Sequence, residues 1–234
     1  MRLKDKVAII TGGGRGIGKA IALGFASEGA AVIIAARTQN EIASTAKEIR
    51  KLGLDCIDVV CDITKEDMVK NLIDATLNHF GRINILVNNA GIGGARPVYA
   101  IPLDSFLNIL QVNLVGTFLC TKYVWQPMKL SGGGSIINIS SLGGLVGYPL
   151  LSAYCASKWG QIGFTKSCAE EGKKVNIRVN SIAPGKADTM IRSLVKEDKS
   201  KMLRAEDHIS ACVFLASDDS KFITGQVLPI EWFG

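Results

Sequence analysis

Histidine is scarce: His79 and His208 are the only two in 234 residues. Two isolated positions argue against histidine-based catalysis and against a histidine metal cluster. The six cysteines, at 56, 61, 120, 155, 168 and 212, form no C-x-x-C pair. Neither a zinc site nor a disulfide framework is indicated, and reduced thiols, several of them in the core, are the expectation. No apolar run approaches the roughly 18 residues of a membrane span. Met1 to Lys6 runs straight into a strand-like segment, which leaves no room for a secretory leader. A soluble, cytoplasmic protein is therefore expected. Linkers, repeats and low-complexity tracts are lacking too, and Ser131-Gly132-Gly133-Gly134 is long enough only for a turn. Residues 1–234 read as one domain.

Apolar residues make up 47% of the chain and charged ones 21%, which suits one well-filled core. The net charge of +6 is spread among acids, as in Lys47-Glu48-Ile49-Arg50-Lys51. A nucleic-acid binder would gather its basic residues on one face, so no nucleic-acid partner is expected. The excess positive charge is compatible with anionic ligands.

Short runs rich in Val and Ile alternate with longer amphipathic segments. Val7–Thr11, Ala31–Ala35, Asp55–Val60, Ile83–Asn88, Ser135–Ile139, Ile177–Ile182 and Gln226–Ile230 suit strands buried on both faces. Between them Ile17–Glu28, Asn40–Leu52, Glu66–Phe80, Leu103–Lys129, Ala153–Gly172 and Ala205–Leu215 suit helices, with Thr64 and Asp67 as a capping pair for the third. This alternation predicts an α/β fold, a doubly wound, Rossmann-like parallel sheet of about seven strands with helices on both faces. Such sheets bind ligands beyond the carboxyl ends of their strands.

Thr11-Gly12-Gly13-Gly14-Arg15-Gly16-Ile17-Gly18 follows the first strand and opens a helix. Glycines let backbone approach a diphosphate, and a helix N-terminus supplies free N–H groups and a favourable dipole. Gly12, Gly14, Arg15, Gly16, Ile17 and Gly18 are thus candidate cofactor residues. The pattern T-G-x-x-x-G-x-G resembles the fingerprint of the short-chain dehydrogenase/reductase family, and the general look is closest to its 3-oxoacyl-thioester reductases.

The second strand ends Ala35-Ala36-Arg37-Thr38, with no acid to take a ribose 2′-hydroxyl. Arg37, flanked by Arg15, suits a 2′-phosphate, so NADP(H) is the expected cofactor. By the resemblance, Asp62 binds the adenine amino group, and Asn89, Ala90 and Gly91 of Asn88-Asn89-Ala90-Gly91 lie beside the cofactor. The resemblance likewise takes Pro184 and Gly185 past the nicotinamide, with Thr189 as a contact. It spans about Lys6 to about Ile230.

Tyr154 and Lys158 form Y-x-x-x-K on one helix face. A free phenol ionises near pH 10, and a nearby ammonium favours its anion. Tyr154 can therefore exchange a proton with a carbonyl or alcohol oxygen. Ser141, thirteen residues earlier, can bond the same oxygen; Ser140 competes for that role, and the family's spacing selects Ser141. Asn113 is a costly amide in an apolar helix unless it is partnered. The resemblance gives it a water that relays protons to Lys158. It also makes Tyr154 and Lys158 cofactor contacts, with Lys158 on the nicotinamide ribose.

The expected activity is hydride transfer between NADP(H) and a small-molecule carbonyl or alcohol, including carrier-bound 3-oxoacyl thioesters. The alternative is a non-catalytic dinucleotide-binding scaffold on the same fold. Three departures stand out. Ala187 sits where the family carries a larger aliphatic residue. The segment 190–203 is short and polar, which suggests a lid over an open pocket. The end, Glu231-Trp232-Phe233-Gly234, carries aromatics suited to a subunit contact. The resemblance implies a dimer or homotetramer through the helices of Asn113 and Tyr154, and no membrane partner is expected.

Overall fold

The structure, a computed structural model, describes residues 1–185 and 202–232. Seven strands form one sheet: β1 Val7–Thr11, β2 Ala31–Ala36, β3 Cys56–Val60, β4 Ile85–Asn88, β5 Gly134–Ile139, β6 Ile177–Pro184 and β7 Val227–Ile230. Their spatial order is β3-β2-β1-β4-β5-β6-β7, and every pairing is parallel. The helices are α1 Gly16–Ser27, α2 Gln39–Lys51, α3 Glu66–Phe80, α4 Leu103–Leu110, α5 Gly116–Leu130, α6 Ser152–Gly172 and α7 Ile209–Ala216.

Alternation along β1 explains the two-sided core. Ala8 and Ile10 join Ile21 and Phe25 of α1, Ile42 and Ile49 of α2, and Leu215 of α7 on one face. Val7 and Ile9 join Leu72 of α3, Val124 and Met128 of α5, and Ala169 of α6 on the other. Successive strand residues point to opposite faces, so a continuous apolar run is what a doubly covered sheet requires. Pro229 is tolerated because β7 lies at the sheet edge. All six cysteines are buried and free, and burial pushes the Cys56, Cys61 and Cys212 thiols up to about 12.

Three expectations need correction. The helix predicted over Leu103–Lys129 is α4, a single π turn at Gln111–Val115, and α5. Predicted Ala205–Leu215 opens as a 3₁₀ turn, Ala205–His208, before α7 begins. The Thr64/Asp67 capping pair does not form: Lys65 is the residue before α3, and Asp62 Oδ1 instead accepts from the Thr64 amide and hydroxyl at 3.0 and 2.8 Å. A carboxylate two residues upstream reaches those donors without needing helical geometry, so it wins.

The combined rod Leu103–Leu130 is 28 residues long, and by length and composition it is apolar enough to cross a membrane. Counting unbroken apolar runs missed this, because polar residues such as Asn113 and Lys122 interrupt the rod without removing its apolar character. Less than half of its most apolar stretch is buried in the protein.

Strand order reverses between β1 and β4, with β2 on one flank and β5 on the other. The crevice beyond the carboxyl ends at that point is where an open α/β sheet takes a ligand.

Candidate active site

Gly12 has φ +66°, a conformation that side chains resist, and a β-carbon there would lie 2.9 Å from Ala90 Cα. A β-carbon on Gly18 would lie 2.3 Å from both Gly12 O and Asn89 Nδ2. The turn from β1 into α1 therefore closes only with glycine at both places. Asn89 locks it: Nδ2 donates to Thr11 O at 2.9 Å and to Gly12 O at 3.2 Å. The amides of Asn89 and Ala90 donate to Thr11 Oγ1, each at 3.1 Å.

α1 begins after an extended Arg15, with no side-chain cap and no acid in its first turn. The first amides of a helix have no partner within it. Gly16, Ile17 and Gly18 thus present N–H groups and the positive end of a helix dipole to an anion, beside glycine backbone that a diphosphate can approach. This geometry fits a dinucleotide diphosphate.

The two arginines differ. Arg37 is exposed and makes no ion pair or hydrogen bond among the described residues; its charge acts on Asp62. Arg15 is already paired, with Nη1 3.1 Å from Glu41 Oε1. That pair is solvent-exposed and worth little, so a phosphate can take the guanidinium from it. Burial alone would raise the Asp62 carboxyl, but the Thr64 bonds and the charges of Arg37 and Lys65 outweigh it and hold the pKa below the usual value.

The four predicted catalytic residues come from three places, the π turn, the loop after β5 and α6, and they converge. A β-carbon on Gly91 would lie 3.3 Å from Asn113 Oδ1 and 3.7 Å from Lys158 Nζ. One on Gly143 would lie 3.3 Å from Tyr154 Cε1 and 3.5 Å from Ser141 Oγ. Lys158 Nζ stands 5.8 Å from the Tyr154 ring centroid. Pro184 ends β6, Gly185 follows it, and a β-carbon on Gly185 would lie 3.4 Å from Leu142 Cδ1, next to Ser141. Thr189 and the segment to 201 lie outside the described residues.

Asn113 resolves its own burial. In the π turn its Oδ1 accepts from the Ile92 amide at 2.8 Å, and its Nδ2 donates to Ile92 O and Ser157 Oγ, each at 2.9 Å. π turns recur at functional sites because they re-aim a side chain within a helix. Ser140 and Ser141 separate equally clearly. The Ser140 hydroxyl is buried and donates to Lys158 O at 3.2 Å. Ser141 Oγ accepts from the Gly143 amide at 3.0 Å, which leaves its own proton to offer outward.

Lys158 is buried; its Nζ donates to Ile139 O at 2.7 Å and to Gln161 Oε1 at 3.2 Å. As an ammonium it keeps one more N–H to give. Desolvation pushes its pKa down to about 7. Sequence reasoning missed the polar chain behind it. Gln161 Nε2 donates to Thr117 Oγ1 at 2.8 Å, Asn138 Nδ2 to Thr165 Oγ1 at 2.8 Å, and Asn88 Nδ2 to Asn138 Oδ1 at 2.8 Å. The available signal was amides set inside apolar strands, at Asn88 and Asn138. Gln161, three residues past Lys158 on the same helix, was another.

The comparisons with known proteins agree with this geometry. The family model described as short chain dehydrogenase matches residues 6–200. The chain is 38% identical over 241 residues to a 3-oxoacyl-[acyl-carrier-protein] reductase of Thermotoga maritima, covering 99% of this chain and 98% of that protein. It is 37% identical to a trans-4-hydroxycyclohexanecarboxylate dehydrogenase of Sinomonas cyclohexanicum, covering 98% and 93%. A gluconate 5-dehydrogenase from Burkholderia cenocepacia, solved with NADP and tartrate, superposes with a TM-score of 0.94 at 32% identity, covering 98% of this chain and 95% of that one. By its fold, its assembled site and these matches, the chain belongs to the short-chain dehydrogenase/reductase family of oxidoreductases, which act on CH–OH and keto groups.

Proposed function

We propose that this protein reduces a ketone, or oxidises the matching secondary alcohol, with NADP(H) and with Tyr154 as general acid/base. The observation that carries the reading is the convergence of Ser141, Tyr154, Lys158 and Asn113 beside the uncapped α1 turn. The nicotinamide, when bound, supplies or accepts the hydride. The α1 amides hold the diphosphate, Arg37 and Arg15 the 2′-phosphate, and Asp62 the adenine amino group. Ser141 donates to the substrate oxygen, and Tyr154 gives that oxygen a proton in reduction or takes one in oxidation. The Lys158 ammonium favours the phenolate and offers its remaining N–H to the nicotinamide ribose. Asn113 anchors the loop after β4 to α6, and the second lone pair of its Oδ1 can hold a relay water.

The test follows NADPH absorbance with a panel of ketones, 3-oxoacyl thioesters and keto acids. The thioester and carboxylate activities named for its relatives choose that panel. Dinucleotide binding with no turnover on any member would favour the scaffold alternative.

NADP(H) is preferred on this reading because β2 ends without an acid and Arg37 is unpaired among the described residues. Ala36→Asp combined with Arg37→Ala is expected to shift the NADP/NAD ratio of kcat/KM toward NAD by roughly 10- to 100-fold, the worth of one charge-assisted hydrogen bond. Steady-state kinetics with both cofactors checks this, and equal wild-type kinetics would remove the NADP assignment.

A second copy of the chain suits the outer face of the long helices. Leu107, Phe118 and Trp159 stand exposed at 50%, 44% and 52% along α4, α5 and α6. Large apolar side chains left exposed on one set of helices suit burial against a second copy. Sedimentation is expected to give a dimer or tetramer; a monomer at micromolar concentration would overturn the assignment.

A further inference from the structure

A cleft of about 200 Å³ lies between the loop after β4, α4 and the start of α6, and Arg96 is the one ionisable residue among the described residues that line it. Ala153, next to Tyr154, lines it, as does Ile92, which is bonded to Asn113. The Arg96 backbone is pinned: its N–H donates to Leu150 O at 2.8 Å, tying the loop after β4 to the loop after β5. Pro97 follows and restricts the Arg96 backbone further. The guanidinium makes no hydrogen bond or ion pair to any described residue. Ser105 and Asn108, three apart on α4, line the same cleft with side chains that make no hydrogen bond to described residues. The rest of the lining is apolar, chiefly Ile92, Ile101 and Ile109.

One uncompensated guanidinium on a backbone-pinned loop, beside an apolar wall, matches a molecule with one anionic end and a compact hydrocarbon body. Guanidinium and carboxylate match in planar, bidentate geometry. A phosphate dianion calls for more than one cation, and the described lining offers a single one. We infer that the substrate of this site is a small keto- or hydroxy-carboxylate, its carboxylate held by Arg96, its body on Ile92, Ile101 and Ile109, and its reacting carbon at Tyr154. Ser105 and Asn108 bond any further hydroxyl it carries. This inference rests on the carbonyl-reductase reading above.

The test compares 4-oxocyclohexanecarboxylate with its methyl ester in wild type, Arg96→Gln and Arg96→Lys. Wild type is expected to favour the acid by roughly 10- to 100-fold in kcat/KM, the worth of a charge-assisted bond. Arg96→Gln should bring that ratio near one, mainly through the KM of the acid, and Arg96→Lys should fall between. Calorimetry with cyclohexanecarboxylate, which has no ketone to reduce, should show the same fold-loss of binding to the NADP-loaded Arg96→Gln protein. Thermal melts with dinucleotide verify that each variant is folded. Equal wild-type rates on acid and ester, or a ratio unchanged in Arg96→Gln, overturns the inference and leaves the reductase reading standing. Turnover of neutral ketones or 3-oxoacyl thioesters alone does the same. No turnover of any carbonyl compound removes both.

Discussion

Tyr154→Phe is expected to bind NADPH as wild type does and to lose turnover on the order of 10³-fold, the usual size of a general acid's contribution. The variant removes a single oxygen. The ring stays, and with it the packing against Gly143 and the position 5.8 Å from Lys158 Nζ. The diphosphate turn lies on α1 and owes nothing to the phenol, so dinucleotide affinity, read by NADPH fluorescence, should hold within about twofold. Ser141→Ala is the companion variant. It removes a hydrogen bond to the substrate oxygen but no proton source, so its loss should be smaller. A Tyr154→Phe enzyme with normal kcat would remove the mechanism. One that lost dinucleotide binding in proportion to turnover would make Tyr154 a binding residue instead.

What the sequence made legible divides along a physical line. The strands were readable to within two residues at each end because a doubly covered parallel sheet demands unbroken Val/Ile runs, and Val7–Thr11 can be little else. The glycine turn, Tyr154 and Lys158 were readable because their spacing is set within one element. The π turn at Gln111–Val115 was not readable, since its cause is tertiary: Asn113 must reach Ile92 and Ser157, residues 21 and 44 positions away. Burial of Lys158 and the ladder Gln161–Thr117, Asn138–Thr165 and Asn88–Asn138 were hidden for the same reason. The Arg15–Glu41 pair was also invisible, because it joins two helix starts through the parallel packing of β1 on β2. Local chemistry can be read from spacing. What tunes it is built from contacts between elements.

Lys158→Met should show that tuning in stability as well as in rate. Loss of the amine removes the phenolate's partner, so turnover is expected to fall by an amount similar to Tyr154→Phe. The stability effect depends on pH, and its sign follows from burial. Desolvation pushes the folded-state pKa down to about 7 from the ordinary 10.5. Below about pH 7 both folded and unfolded chains carry the proton, and the folded protein bears the full penalty of a buried charge. Between about pH 7 and pH 10.5 the unfolded chain holds the proton and the folded chain does not, so stability rises with pH by at most about 1.4 kcal/mol per unit. Methionine has no proton to lose and lacks this rise. It also leaves Ile139 O and Gln161 Oε1 without their donor, a loss of roughly 1–3 kcal/mol at any pH. Wild type minus variant should therefore be smallest, or reversed, near pH 6 and should grow steadily toward about pH 10. Urea midpoints for both proteins, taken without dinucleotide and at one fixed protein concentration, measure that difference directly. Two parallel curves would mean that the amine titrates alike in both states, and that water reaches Lys158 in the folded protein.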